Sequence, residues 1–183
     1  MKTFNIKKFE ENKGKQGIVN KYLYTLNGYN IRELSSNAAS NNYELRYQRE
    51  ITKEFSPFKL VHTYYKNGTI RSSTSFFNKS RIGIYKIFDQ NGQVIKEIDD
   101  DKNFKHSFEQ IHDFVLKEKN IDIYDTRQAV ALRHDTPRSP LKKYYQIHVL
   151  KSSFVDGQWY SQPNYSFLIA DETGQIVKSS EKK

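Results

Sequence analysis

Apolar residues recur along this chain at two spacings, every second position over most of its length and every third or fourth over one stretch past the middle. In "IVNKYLYTLNGYNIREL" (18–34) apolar residues flank Asn27-Gly28. Asn-Gly is the strongest short-range hairpin signal, because both central residues of a type I′ turn need φ > 0. The small polar run "SSNAASNN" (35–42) predicts a loop. "YELRYQREI" (43–51) sets Tyr43, Leu45 and Tyr47 against charged neighbours, the two-residue period of a half-buried strand. "SPF" (56–58) interrupts the pattern. Residues 1–17 are polar and charged and predict a short helix or a frayed arm.

Residues 64–99, "YYKNGTIRSSTSFFNKSRIGIYKIFDQNGQVIKEID", carry one arrangement twice. An aromatic residue is followed four positions later by the glycine of an Asn-Gly pair and six positions later by a branched residue. Tyr64, Gly68 and Ile70 form the first copy, and Phe88, Gly92 and Val94 the second. Each copy predicts a hairpin whose aromatic and branched residues face one another, a favoured cross-strand pair. A further turn is expected near Asn78–Arg81. A sheet this small needs cover. The expected cover is the helix "HSFEQIHDFVLKEKN" (106–120), where Ser107 and Gln110 fit a capping box. Phe108, Ile111, Val115 and Leu116 form its apolar stripe. Lys117 and Lys119 suit the negative end of its dipole.

Beyond the helix, "QAVALRH" and "YYQIHVLKSSF" read as strands, with the exposed loop "HDTPRSPLKK" between them. Asp156-Gly157 reads as a hairpin turn, "QWYSQPNYSFLIA" as the returning strand, and "DETGQIVK" (171–178) as a last turn and strand. No helical segments alternate with the strands, so a parallel sheet is not expected. The predicted fold is α+β, mainly antiparallel hairpins with one principal amphipathic helix. It is organised as a β-rich part (1–103) and a helix-plus-strands part (104–183).

Composition narrows the functional classes. The 183 residues contain no cysteine, which excludes disulfides and thiolate metal sites. No apolar run approaches the length of a spanning helix, and the charged N-terminus lacks an apolar signal segment, so a cytoplasmic protein without a membrane partner is expected. The net charge of +9 favours an anionic partner, although the cations are spread along the chain.

The segments "YYKNGTIRS" and "GIYKIFDQNGQVIKEID" resemble the MORN-variant repeats of YwqK-family antitoxins. Residues 164–178, "NYSFLIADETGQIVK", resemble the end of a PepSY-like module, a helix with an antiparallel sheet. The first resemblance implies an immunity protein, which occludes a toxin's active site and performs no chemistry, and needs no cofactor.

The residues offer little catalytic pattern. Five histidines occur, at 62, 106, 112, 134 and 148, and none forms an i, i+4 pair. In "RHDT", His134 and Asp135 are adjacent in a strand and point to opposite faces. "DDDK" (99–102) lacks the alternation and distal Glu of a calcium loop. No glycine-rich phosphate loop or nucleophile elbow is present. No catalytic, cofactor-binding or metal-binding residue is therefore assigned. Binding candidates come from two places. The repeat offers Tyr65, Arg71 and Tyr85, since Tyr and Arg are enriched at interface hot spots. The loop "RHDTPRSPLKKYY" offers Arg133, Arg138, Lys142 and Lys143 beside aromatic residues, a pattern that also suits single-stranded nucleic acid. The expected partner is a toxin with an acidic cleft; a basic nucleic-acid-associated module and a general repeat scaffold are the alternatives.

Overall fold

The computed structural model describes residues 3–36, 46–135 and 141–180. Tyr43, Leu45, most of the 35–42 loop and the proline-bearing residues 136–140, Arg138 among them, lie outside these. The fold is α+β, with two antiparallel sheets and one principal helix. The chain forms two compact units, divided mainly at Asp100/Asp101, but Phe55–Phe58 and Phe77–Ser80 belong to the second unit.

The first unit is an up-and-down meander of seven strands in sequence order: β1 (Lys21–Leu26), β2 (Tyr29–Ser35), β3 (Tyr47–Thr52), β4 (Phe58–Tyr64), β5 (Ile70–Phe77), β6 (Ser80–Phe88) and β7 (Val94–Asp99). Asn27 and Gly28 take φ of 50° and 77° and join β1 to β2 in two residues. The two repeat copies close differently, through five-residue loops. Tyr65 N donates to Thr69 O (2.9 Å) and Gly68 N to Tyr65 O (2.9 Å); Asp89 N donates to Gln93 O (2.9 Å) and Gly92 N to Asp89 O (3.0 Å). In each loop only the glycine has positive φ, 83° at Gly68 and 78° at Gly92. The sequence repeat is thus a repeat of one bulged hairpin loop.

Cover for this sheet comes from the N-terminus. The short helix α1 (Ile6–Asn12), capped by the Asn5 side chain on Lys8 N, presents Phe9. Phe4 and Phe9 pack with Tyr47, Tyr64 and Ile70 in one buried cluster, with Phe88 at its margin. Phe4 N donates to Gly68 O (2.9 Å), and Thr3 pairs with Thr69. Phe4, Ile6 and Phe9, three apolar residues among the lysines of 4–9, thus supply cover that a reading of 1–17 as polar does not include, and the backbone of Gly68 ties them down.

The second unit holds the principal helix α2 (Phe108–Lys119) and a sheet ordered β11-β10-β9-β8, with β8 (Ala129–His134), β9 (Tyr144–Val155), β10 (Gln158–Ala170) and β11 (Ile176–Ser179). Ser107 and Gln110 make the predicted capping box, and Asn120 ends the helix in the left-handed region. Phe108, Ile111 and Val115 are buried; Leu116, expected in the stripe, is exposed. Phe77 stacks on Phe108 at 4.1 Å, and Tyr145 meets Phe108 edge-on at 5.3 Å. The buried Asp171 carboxylate accepts from Lys105 N and His106 N, fixing the chain just before the helix. Among the described residues no helix is long and apolar enough to cross a membrane.

Candidate binding surface

Two arginines illustrate what each unit does with a cation. In the first unit, Glu33 and Arg49 are cross-strand partners on the covered face, 2% and 3% exposed. Arg49 Nε donates to Glu33 Oε1 (2.8 Å) and its NH1 to Tyr64 Oη (3.3 Å); Tyr24 Oη also donates to Glu33 Oε1 (3.2 Å). The guanidinium lies 5.4 Å from the Phe4 ring centroid. Burial and the Glu33 carboxylate push the Tyr24 hydroxyl up to about 12. Next along the row, His62 is paired with Arg49 across the strands, and burial together with the Arg49 charge pulls it down to about 4. A charge pair sealed this way is costly to break, because losing one partner strands the other charge in the core, and it offers nothing to a binding partner.

In the second unit the corresponding cation is half-open. Arg127 grips Asp125 in a bidentate pair, Nε to Oδ1 at 2.9 Å and NH2 to Oδ2 at 2.7 Å, which holds the Asp125 carboxyl below its ordinary range. Its guanidinium lies against Phe55 (4.4 Å) and Trp159 (4.8 Å). Phe55 has φ of 57°. For a bulky residue this costs about 1–2 kcal/mol, and such strain persists only where the surroundings enforce it. Here Thr126 N donates to Phe55 O (2.8 Å), holding the ring in place.

Trp159 reaches this cluster from an arm. β9 and β10 pair over 12 and 13 residues, but β8 pairs with β9 only as far as Val149, and β11 with β10 only over Phe167–Ile169. Among the described residues, the far half of the hairpin therefore extends beyond the other two strands of its sheet. Asp156-Gly157 closes it, with φ of 51° and 78°. Phe154 is 60% exposed, Trp159 42% and Tyr160 52%. Phe154 and Trp159 are cross-strand partners with ring centroids 5.4 Å apart, so they share the face that carries Arg127 and Phe55. At the foot of this ledge is a shallow recess of about 390 Å³ lined by Ile121, Gln128, Val149, Leu150, Ser152 and Trp159 beside the ion pair. Large rings, an aromatic-stacked arginine and a shallow cleft are the ingredients of a protein-binding hot spot.

The residues expected to bind a partner are distributed otherwise. Tyr65 and Arg71 meet, with the guanidinium 6.0 Å from the ring, and Tyr65 Oη donates to Phe88 O (2.8 Å). Arg71 lines a shallow recess with Arg32, Glu50 and Thr63 on the uncovered face of the first sheet. Tyr85 is half-buried under Arg81, 5.4 Å away. Arg133 is not a surface cation. Its side chain is 5% exposed, paired with Asp101 at 2.6 Å and stacked on Phe104 at 4.4 Å. A partner 32 residues upstream in "DDDK" draws it inward, and also accounts for part of that acidic run. Lys143 folds onto Asn103 O, and Lys142 is exposed. The basic loop thus does not gather into one patch among the described residues.

Sequence reasoning passed over Phe55, Asp125, Arg127, Phe154 and Trp159. One signal was present. "FVDGQWY" has paired apolar residues on both sides of its turn, so both faces of that hairpin carry rings or branched chains. A strand pair buried on one face needs only alternate positions.

No protein-family model matches the chain, no curated protein is similar to it in sequence, and no solved structure matches its fold. The likeness to MORN-variant repeats rests on the residues quoted above. Among the described residues, no three His, Asp or Glu side chains converge as a metal site would require.

Proposed function

We propose that this chain is a non-catalytic binding protein of the cytoplasm, an immunity factor that neutralises a cognate bacterial toxin by covering its active site. The observation that carries this reading is the ledge of Phe154, Trp159 and Phe55 around Arg127. It is an exposed aromatic surface of fixed geometry, built beside a bidentate ion pair and a residue with positive φ. The rings supply desolvated contact area, and the preset arginine reduces the ordering cost of binding. The net charge of +9 favours a toxin whose cleft is acidic. The repeat resemblance supports the same class.

The test is binding of the purified chain to the toxin encoded beside it, followed by titration calorimetry. Phe154→Ala with Trp159→Ala is expected to weaken the complex roughly 100-fold while circular dichroism stays unchanged. Undiminished affinity in that double variant refutes the ledge as the contact. A phosphate binder loses affinity steeply with salt; the aromatic contact loses much less, and a steep salt slope with nucleic acid would favour the basic-module reading.

A further inference from the structure

The arm carries a second feature, independent of its ringed face: an open strand edge. In a two-residue hairpin the residues flanking the turn, Val155 and Gln158, hydrogen-bond to each other. The alternation then turns the backbone groups of Phe154, Ser152 and Leu150 outward on β9, and those of Trp159, Ser161 and Pro163 outward on β10. Leu150 N donating to Gln128 O (2.8 Å) fits this phase. On the β9 side the chain at Arg127–Gln128 occupies the edge, through that bond and through Ser152 Oγ donating to Arg127 O. On the β10 side β11 stops short, and the edge from Gln158 to Pro163 has no neighbour among the described residues.

Exposed edges are usually protected by charge. β7, at the edge of the first sheet, carries Lys96, Glu97 and Asp99. The whole of β10, QWYSQPNYSFLIA, carries no charged residue in a chain of net charge +9. Two copies of so basic a protein can therefore bring these edges together without a like-charge clash between them.

We propose that β10 pairs with β10 of a second copy of this chain, antiparallel, about a dyad at Tyr160. The register follows from the hydrogen bonds available. Placing Tyr160 opposite Tyr160 puts Trp159 opposite Ser161 on both sides of the dyad. Both residues turn their N–H and C=O outward, so each pair exchanges two bonds and four form in all. Pro163, which has no N–H, falls opposite Gly157 of the tight turn, where the ladder ends without needing a donor. On the ledge face each Trp159 ring lies beside the small Ser161; on the other face Gln158 meets Gln162. This edge is complementary to itself, the condition for a two-fold interface. Pairing uses backbone groups in the plane of the arm, so it leaves the ledge face free and goes beyond the function proposed above.

Sedimentation equilibrium of the chain alone, without any toxin, tests it. Wild type is expected to be dimeric at roughly 100 µM. Tyr160→Lys and Tyr160→Glu, each placing like charges across the dyad at an exposed position, are each expected to be monomeric, and a mixture of the two to recover the dimer. Ser161→Pro removes an outward N–H and leaves the backbone bonds to β9 in place, losing there only the side-chain bond between Ser161 Oγ and Ser152 Oγ (2.7 Å), and should weaken the dimer roughly tenfold or more. A monomeric wild type, a dimer indifferent to Ser161→Pro, or a charge-swapped mixture that fails to associate overturns the proposal.

Discussion

The two copies of the repeat, Tyr64–Ile70 and Phe88–Val94, close through the same five-residue loop with the same glycine conformation, yet they live in different surroundings. In the first, Tyr64 and Ile70 are buried, Tyr64 Oη accepts from Arg49, and Gly68 O anchors Phe4. In the second, Phe88 is half-buried and Val94 about half-exposed. Turn chemistry therefore sets the local shape, while what docks on the turn decides how much that shape contributes to stability. The repeat in the sequence encodes a geometry and leaves its burial open.

Matched substitutions in the two copies sharpen this contrast. Tyr64→Ala should cost about 3–5 kcal/mol in urea unfolding, by cavity formation and by leaving Arg49 short of a partner; Phe88→Ala should cost less than half as much. Ile70→Ala is expected to cost about 2–4 kcal/mol against roughly 0.5 for Val94→Ala. Equal costs within either pair would mean that the copies are energetically equivalent and that the comparison fails. For glycine, a methyl group at Gly68 would meet Phe4 O at 3.0 Å, whereas at Gly92 the nearest atom is a side-chain carbon of Thr69 at 3.8 Å. Both alanines suffer about 1–2 kcal/mol from positive φ, and Gly68→Ala should lose roughly 1 kcal/mol more by displacing the N-terminal segment.

A pH slope tests the surroundings of the first copy in another way. His62 lies beneath the first copy with its folded value lowered to about 4 from the ordinary 6.5. Below pH 6.5 the unfolded chain takes up a proton that the folded chain refuses, so stability falls as pH drops from about 6.5 towards 4 and is fully present above that window. His62→Gln is expected to flatten this part of the pH–stability curve. A slope unchanged in the variant would assign it to other groups.

Much of the fold was legible because its signals are local. Asn27-Gly28, Asp156-Gly157 and the two repeat loops announce their turns, and Ser107 with Gln110 announces the start of α2. The N-terminal cover was not legible as such. Phe4, Ile6 and Phe9 do not dominate their window, and their burial depends on a carbonyl about sixty residues away, at Gly68. The binding surface was harder still. Phe55, Arg127 and Trp159 come from three distant stretches, and an arginine in sequence looks equally cationic whether it is sealed like Arg49 and Arg133 or open like Arg127. Only the partner's position distinguishes these cases, and that is a property of the assembled chain.

The two short segments that the second unit takes from the strand ends and turns around β4 and β5 bear on how this gene can change. Phe58 and Phe77 ride on β4 and β5, yet their rings meet Tyr124 and, for Phe77, Phe108. A fragment cut at 100/101 would carry α2 without the aromatic stack that seals it. Fission or shuffling at that junction should therefore yield halves that unfold more readily than the joined chain.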